Sequence, residues 1–233
     1  NPKVSGLIDF GDAVYTQIIN DLAIVLAYAI MDLPDSLSAA LEVIEGYNTQ
    51  YNLSEKELEC LYILVGMRLV TTVTNASLKK EEFPDDDYFG ISEKPAWGLL
   101  EKWFIVNENF AYYSFRNACG NASHPLEKKF ENWAKNNQVS LKTMFPTVAS
   151  ERVVNLDMSV GSTLLGNLSA YNDPEVSEFK LKQFQKYHPN TILLNGYLET
   201  RPFYTTEAFK SEGNDGPQYR TVHLGTDFWV PAE

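Results

Sequence analysis

Between Thr16 and Asp32 the chain is mostly apolar, with Asn20 and Asp21 as strongly polar interior residues. Its longest uninterrupted stretch, Leu22 to Met31, is too short to cross a bilayer. The run therefore describes a helix buried on most of its faces. A helix of that kind must be surrounded by other apolar elements, and the next hundred residues supply them.

Ser36 to Tyr51 carries Leu37, Ala40, Leu41, Ile44 and Tyr47 on one stripe, the spacing of an amphipathic helix. Ser54 and Glu57 form a capping-box pair ahead of Leu58, Leu61, Leu64, Val65, Leu69 and Val70, and predict a third helix to about Lys80. Ser92 to Pro95 opens a fourth. Asn107 to Cys119 reads as a fifth, closed by Gly120. Upstream of them, Val4 to Phe10 reads as a short strand entering a tight turn.

The texture changes beyond residue 120. His124-Pro125 starts an amphipathic helix through Trp133, Arg152 to Leu156 predicts a strand, and Glu178 to Tyr187 a short charged helix. From Thr191 the pattern is β: Thr191 to Leu194, Arg201 to Phe209 and Arg220 to Val230, punctuated by Gly196, Gly213 and Gly216. The expected class is α+β, a helical lobe followed by a mainly β segment. The expected division is 1–122, a connector at 123–185, and 186–233.

The formal net charge of −12 disfavours nucleic acid and anionic membranes as partners. It is compatible with a cationic small molecule, and more ordinarily serves solubility. Cys60 and Cys119 lack metal-ligand spacing and read as buried reduced thiols, in keeping with a cytoplasmic protein. Asp85 to Asp87 reads as an exposed acidic loop. Trp97, Trp103, Phe104, Phe110, Tyr112, Tyr113 and Phe115 read as helix-packing aromatics, with a pocket for a quaternary amine as the sharper alternative.

One constellation lies at the predicted strand end, Ile8-Asp9-Phe10-Gly11-Asp12. An Asp leaving a rigid strand can hold Mg²⁺, which takes hard oxygen ligands and keeps nucleotide phosphates beside them. Gly lets the backbone turn at once, and the aromatic is expected to pack inward. The run Val4 to Ala13, followed by Asn20-Asp21-Leu22-Ala23-Ile24, resembles the C-terminal lobe of aminoglycoside phosphotransferase-like kinases. That superfamily includes choline, homoserine and hydroxylysine kinases. The resemblance covers about residues 1–120. It implies that Asp9 binds Mg²⁺ with ATP, and that Asp21 gives structural support. The family's His-Gly-Asp catalytic loop and nucleotide-clamping lobe are absent from these residues, so the isolated chain is expected to be inactive.

A second constellation is His223-Leu224-Gly225-Thr226-Asp227. His nitrogen and Asp oxygen together can bind one face of a zinc ion, and in a strand an i, i+4 pair points to one side. With Arg201-Pro202, Tyr204-Thr205 and Pro231-Ala232, this stretch resembles the start of a lysostaphin-type zinc endopeptidase domain. The resemblance implies that His223 and Asp227 ligate zinc. That family's later His-x-His is not found here, so the zinc site is incomplete. The two resemblances together imply a multidomain phosphotransferase, peptidase and class III aminotransferase. Pyridoxal phosphate (PLP) would enter only through a further domain of the same polypeptide. The leading expectation is transfer of the ATP γ-phosphate to a hydroxyl of a small amino-alcohol or amino acid. The alternatives are zinc peptide hydrolysis, the aminotransferase fusion, and a non-enzymatic regulatory scaffold.

Overall fold

The computed structural model describes residues 5–6, 10–84, 90–144, 146, 152–164, 173–205, 207–213 and 216–230. Among them are helices α1 (Ile19–Ala29), α2 (Ser36–Asn48), α3 (Glu55–Glu82), α4 (Glu93–Ile105) and α5 (Glu108–Ala118). After these come α6 (Glu127–Asn136), α7 (Leu141–Met144) and α8 (Pro174–Tyr187). The described strands are β1 (Val153–Asn155), β2 (Ile192–Leu194), β3 (Glu199–Thr200), β4 (Lys210–Gly213), β5 (Gly216–Tyr219), β6 (Val222–His223) and β7 (Phe228–Trp229). The architecture is α+β.

α3 is the axis of the helical part and packs against α1, α4 and α5. Its buried residues Leu58, Leu61, Tyr62, Val65, Leu69 and Val73 recur every three or four positions. Among the described residues α3 is the one helix long and apolar enough to span a bilayer, but here this stripe lies in a core shared with Leu22, Leu26, Ile44, Leu99 and Phe115. The capping box forms as predicted: Ser54 N–H donates to Glu57 Oε2 at 2.8 Å. A two-way clasp joins α3 to α4. Tyr62 Oη donates to the carbonyls of Trp103 (3.0 Å) and Val106 (2.9 Å), and Trp103 Nε1 donates back to the Tyr62 carbonyl. The two rings stack at 5.4 Å. At the far end of α5, Gly120 takes φ +74°, the left-handed conformation that closes a helix and favours glycine.

The β segment has a much smaller core, built on Leu156, Met158 and Leu193. β1 pairs with β2 in parallel, and β2 with β7 antiparallel. β3 pairs with β6 so that Glu199 stands opposite His223, and β4 forms a hairpin with β5. The Val160 N–H donates to the Thr200 carbonyl at 2.9 Å, while Val160 itself joins the helical core.

Several expectations need correction. α1 buries one face rather than most: Ile24, Val25 and Tyr28 are exposed, because α2 and α3 cover only the opposite side. Cys60 is exposed and Cys119 half-buried, where two buried thiols were expected. Arg201 to Phe209 is not a strand. Pro202 fixes φ and has no N–H for the ladder, so β3 ends at Thr200 and the chain enters 3-10 turns. α8 begins at Pro174, four residues ahead of the predicted start, because Asp173 Oδ1 accepts the Glu175 and Val176 N–H groups. The acidic loop Asp85 to Asp87 and most of the predicted strand Val4 to Phe10 lie outside the described residues.

Candidate functional site

Asp9 also lies outside the described residues. Immediately after it, Phe10–Asp12 forms a 3-10 turn closed by Ala13 N–H to the Phe10 carbonyl at 3.1 Å. Phe10 is 69% exposed, so the inward packing expected of this aromatic is not made. It begins an exposed apolar strip that runs through Val14, Tyr15 and Ile18 into the uncovered face of α1. The helix is entered through side-chain bonds: Asn20 Nδ2 donates to Thr16 Oγ1 at 2.8 Å and, more weakly, to Gln17 Oε1. Asp21 sits exposed in the first turn of α1, where its charge complements the helix dipole. Its field reaches the next helix: burial and then Asp21 push the Tyr47 phenol up.

The second constellation is fully described. His223 ends β6 and Asp227 precedes β7, so a reversal at Leu224–Thr226, not the period of one strand, brings them together. His223 Nε2 and Asp227 Oδ2 are 3.3 Å apart. Each is held from behind. Tyr204 Oη hydrogen-bonds His223 Nδ1, and the two rings stack at 5.7 Å. Asn195 grips Asp227 twice, with Nδ2 donating to Oδ2 at 2.7 Å and Oδ1 accepting the backbone N–H at 2.6 Å. Arg201 bridges the group. Its Nε donates to Glu199 Oε2 at 2.6 Å and its Nη1 to Asp227 Oδ2 at 3.0 Å. Glu199 Oε1 takes the Met158 N–H at 3.0 Å, which ties this cluster to the small core.

Burial sets the electrostatics. The side chains of Arg201 and Glu199 are 6% and 8% exposed. Desolvation raises the Glu199 carboxyl above its ordinary value despite its bonds to Met158 and Arg201. His223 is pushed down by desolvation and then by the Arg201 charge, against the opposing pull of Asp227. The ring is therefore neutral at pH 7, and Nε2 is a buried nitrogen without a hydrogen-bond partner. A methyl group on Gly225 would stand 3.2 Å from Nε2, so the glycine leaves the space beside it open.

A tetrahedral zinc ion tests this pair directly. Ligands about 2.0–2.1 Å from such an ion stand about 3.3–3.4 Å from each other. The observed separation fits one edge of that tetrahedron, and the unpartnered Nε2 fits a ligand atom. Two features fit poorly. No third His, Cys, Asp or Glu joins them in a metal-binding group among the described residues. Arg201 also places a positive charge on the carboxylate oxygen that a cation would need.

Sequence reasoning found His223, Asp227 and the flanking Arg201 and Tyr204, but not Asn195 or Glu199. Gly196 read only as punctuation between β pieces, and no local signal marks the Asn before it as one that holds an Asp 32 residues away.

Comparison with known proteins bears on the other end of the chain. Residues 1–55 match the phosphotransferase enzyme family (APH). That match contains Asp9, Asp21, α1 and α2, and ends at the first residue of α3. The N-terminal region is kinase-like. Hydroxylysine kinase of Xenopus laevis is 30% identical over 100 residues, 42% of this chain and 27% of the relative. That of Mus musculus is 26% identical over 107 residues, 46% of this chain and 28% of the relative. That of Danio rerio is 29% identical over 118 residues, 50% and 33%. The aligned region thus spans about a third or less of the length of each relative. No solved structure matches the chain. The family match stops well short of His223 and Asp227.

Proposed function

We propose that the N-terminal region serves a small-molecule phosphotransferase as the part of its C-terminal lobe that carries the metal-binding Asp. The observation that carries this reading is the phosphotransferase match over residues 1–55, with Asp9-Phe10-Gly11-Asp12 inside it. Asp9 would hold Mg²⁺ with the ATP phosphates, and Mg²⁺ would neutralise charge on the phosphoryl group in flight. The acceptor is a hydroxyl of a small amino-alcohol or amino acid, the class named by the hydroxylysine kinases. Asp21, free of hydrogen-bond partners among the described residues, is available to brace a neighbouring loop. The base and the nucleotide clamp would come from other residues of the same polypeptide. Calorimetry of Mg²⁺–ATP on the full-length protein tests the assignment. Asp9→Asn should abolish Mg²⁺-dependent binding; unchanged binding would sink it.

A second reading is favoured by one observation, the 3.3 Å edge between His223 Nε2 and Asp227 Oδ2. In it these residues are two of the three protein ligands of a zinc hydrolase site, with the third supplied by a later His-x-His of the same polypeptide. When bound, zinc would activate a water molecule for attack on a peptide carbonyl. The chain's own part is to keep His223 neutral and the Asp227 carboxylate oriented by Asn195. Zinc content by metal analysis is the test: His223→Ala should lower it, and an unchanged content would remove the reading. No residue of the chain is assigned to pyridoxal phosphate.

A further inference from the structure

The end of α1, the second half of α3 and the start of α4 border a cavity of about 330 Å³. Tyr28, Arg68, Thr72, Asn75, Ile91 and Ser92 are among the residues that line it. Among the described residues no Asp or Glu does, in a chain whose net charge is −12. Arg68 is half-buried and makes no ion pair among the described residues. Its Nη2 donates to Tyr28 Oη at 2.9 Å, the one hydrogen bond its guanidinium makes there. Its Nε is buried with no acceptor. A guanidinium presents five N–H donors in a fixed plane, so most of this one is unused. The group is nevertheless held in place. Its charge lies 5.4 Å from the centre of the Tyr28 ring, and the Tyr28 hydroxyl stands 3.4 Å from Thr72 Oγ1. The Ser92 hydroxyl caps no N–H of α4.

We propose that this cavity binds a small organic carboxylate, with Arg68 as its anchor. The sign follows from Arg68, a partly desolvated positive charge without a counter-charge, which an anion would neutralise. The count follows from Lys79, the other cation on the wall. It is already paired with Glu82 at 2.8 Å, so one charge is left for a ligand to match. The class follows from shape. The planar fork of an arginine meets a carboxylate through two parallel hydrogen bonds. The Asn75 amide and the Ser92 hydroxyl add neutral donors from two elements. The Tyr28 ring, Ala76 and Ile91 give an organic stem an apolar wall, and a cavity of this size holds more than a bare ion. The net charge of the chain repels anions at long range, so one that binds must be held by local contacts. The site stands apart from both readings of function. Of its lining residues only Tyr28 falls within the phosphotransferase match, and neither His223 nor Asp227 is among them.

Calorimetry of the 233-residue chain with sodium butyrate tests the inference. The expected result is one saturable site for which butyramide, the uncharged isostere, does not compete. Arg68→Met should lower the affinity about tenfold, or about 1.4 kcal/mol. Arg68→Lys keeps the charge but not the fork, and should weaken binding by less. Met and Lys are both good helix formers, so α3 should tolerate either. Lys56→Gln, at the exposed start of α3, should leave the affinity unchanged. The inference is overturned by the absence of saturable binding, by equal affinity in Arg68→Met, or by equal competition from butyramide. It is also overturned by an equal loss in Lys56→Gln, which would reduce the effect to general charge attraction. If sodium phosphate saturates the cavity and butyrate does not displace it, the site belongs to a phosphate and the carboxylate assignment falls.

Discussion

At the residue scale Arg201 determines most of what happens around His223 and Asp227. It is nearly fully buried between two carboxylates, one of them equally buried. Removing one partner of a buried ion pair strands the other, which costs about 3–5 kcal/mol. Arg201→Met should lower unfolding stability by about 3 kcal/mol in urea, and adding Glu199→Gln should recover part of that loss. An additive double variant would show that the pair is not coupled. The same arginine helps hold His223 below its ordinary 6.5. On acidification the unfolded chain takes up that proton first. The stability tied to the neutral ring is therefore present above about pH 6.5 and lost as pH falls through the folded value. Glu199 acts in the opposite sense: its raised carboxyl contributes stability below its ordinary 4.5, and this is lost as pH rises through the folded value. An NMR titration should place the His223 midpoint below 6.5 and move it upward in Arg201→Met.

At the scale of elements, the α3–α4 clasp joins two helices of the core through both stacking and hydrogen bonds. Trp103 is fully buried and stacks on Tyr62; two hydrogen bonds run between these residues and a third from Tyr62 to the Val106 carbonyl. Trp103→Ala should cost about 3–5 kcal/mol by denaturant unfolding, the range for an emptied aromatic site. Tyr62→Phe removes only the hydroxyl and should cost about 1 kcal/mol. Burial, and then Glu108, pushes that hydroxyl up to about 12, so the clasp keeps its proton throughout the neutral range. Helices α2, α3 and α5 were legible in the sequence because their signals are local. The Asp35, Ser54 and Asn107 caps and the stripe of α3 all act within one or two turns. The strand predicted from Arg201 to Phe209 is not made because Pro202 has no N–H to give a ladder, so the chain turns after Thr200.

For the whole molecule, the two hydrophobic clusters differ greatly in size. One gathers residues from five helices, while the other is built on three buried side chains, Leu193 in β2 and Leu156 and Met158 in the stretch just after β1. Short strands with few buried neighbours open more readily than a helix whose stripe is fully enclosed. Hydrogen exchange should therefore protect the amides of Leu61 and Val65 more than those of Leu156 and Leu193. Equal protection would show that both parts unfold as one cooperative unit. The exposed strip from Phe10 to Tyr28 is the other large-scale feature. It explains why an apolar run that reads as buried on most faces is covered on only one: periodicity tells which residues are apolar, and only neighbours decide which of them lose water.

The sequence determined by itself what depends on covalent neighbours: the helix starts, the glycine closure after α5, and the residue types that suit a metal at Asp9 or at His223 and Asp227. Its charge of −12 was also fixed, but not where that charge gathers. Tertiary structure decided what depends on distance through space. It carried Asn195 and Arg201 to Asp227, set the 3.3 Å edge with His223, and drew Tyr28, Arg68 and Ser92 around one cavity. The physical reason is the same in each case. Hydrogen bonding and charge act over a few ångströms, and no spacing along a chain reveals which distant residues will come that close.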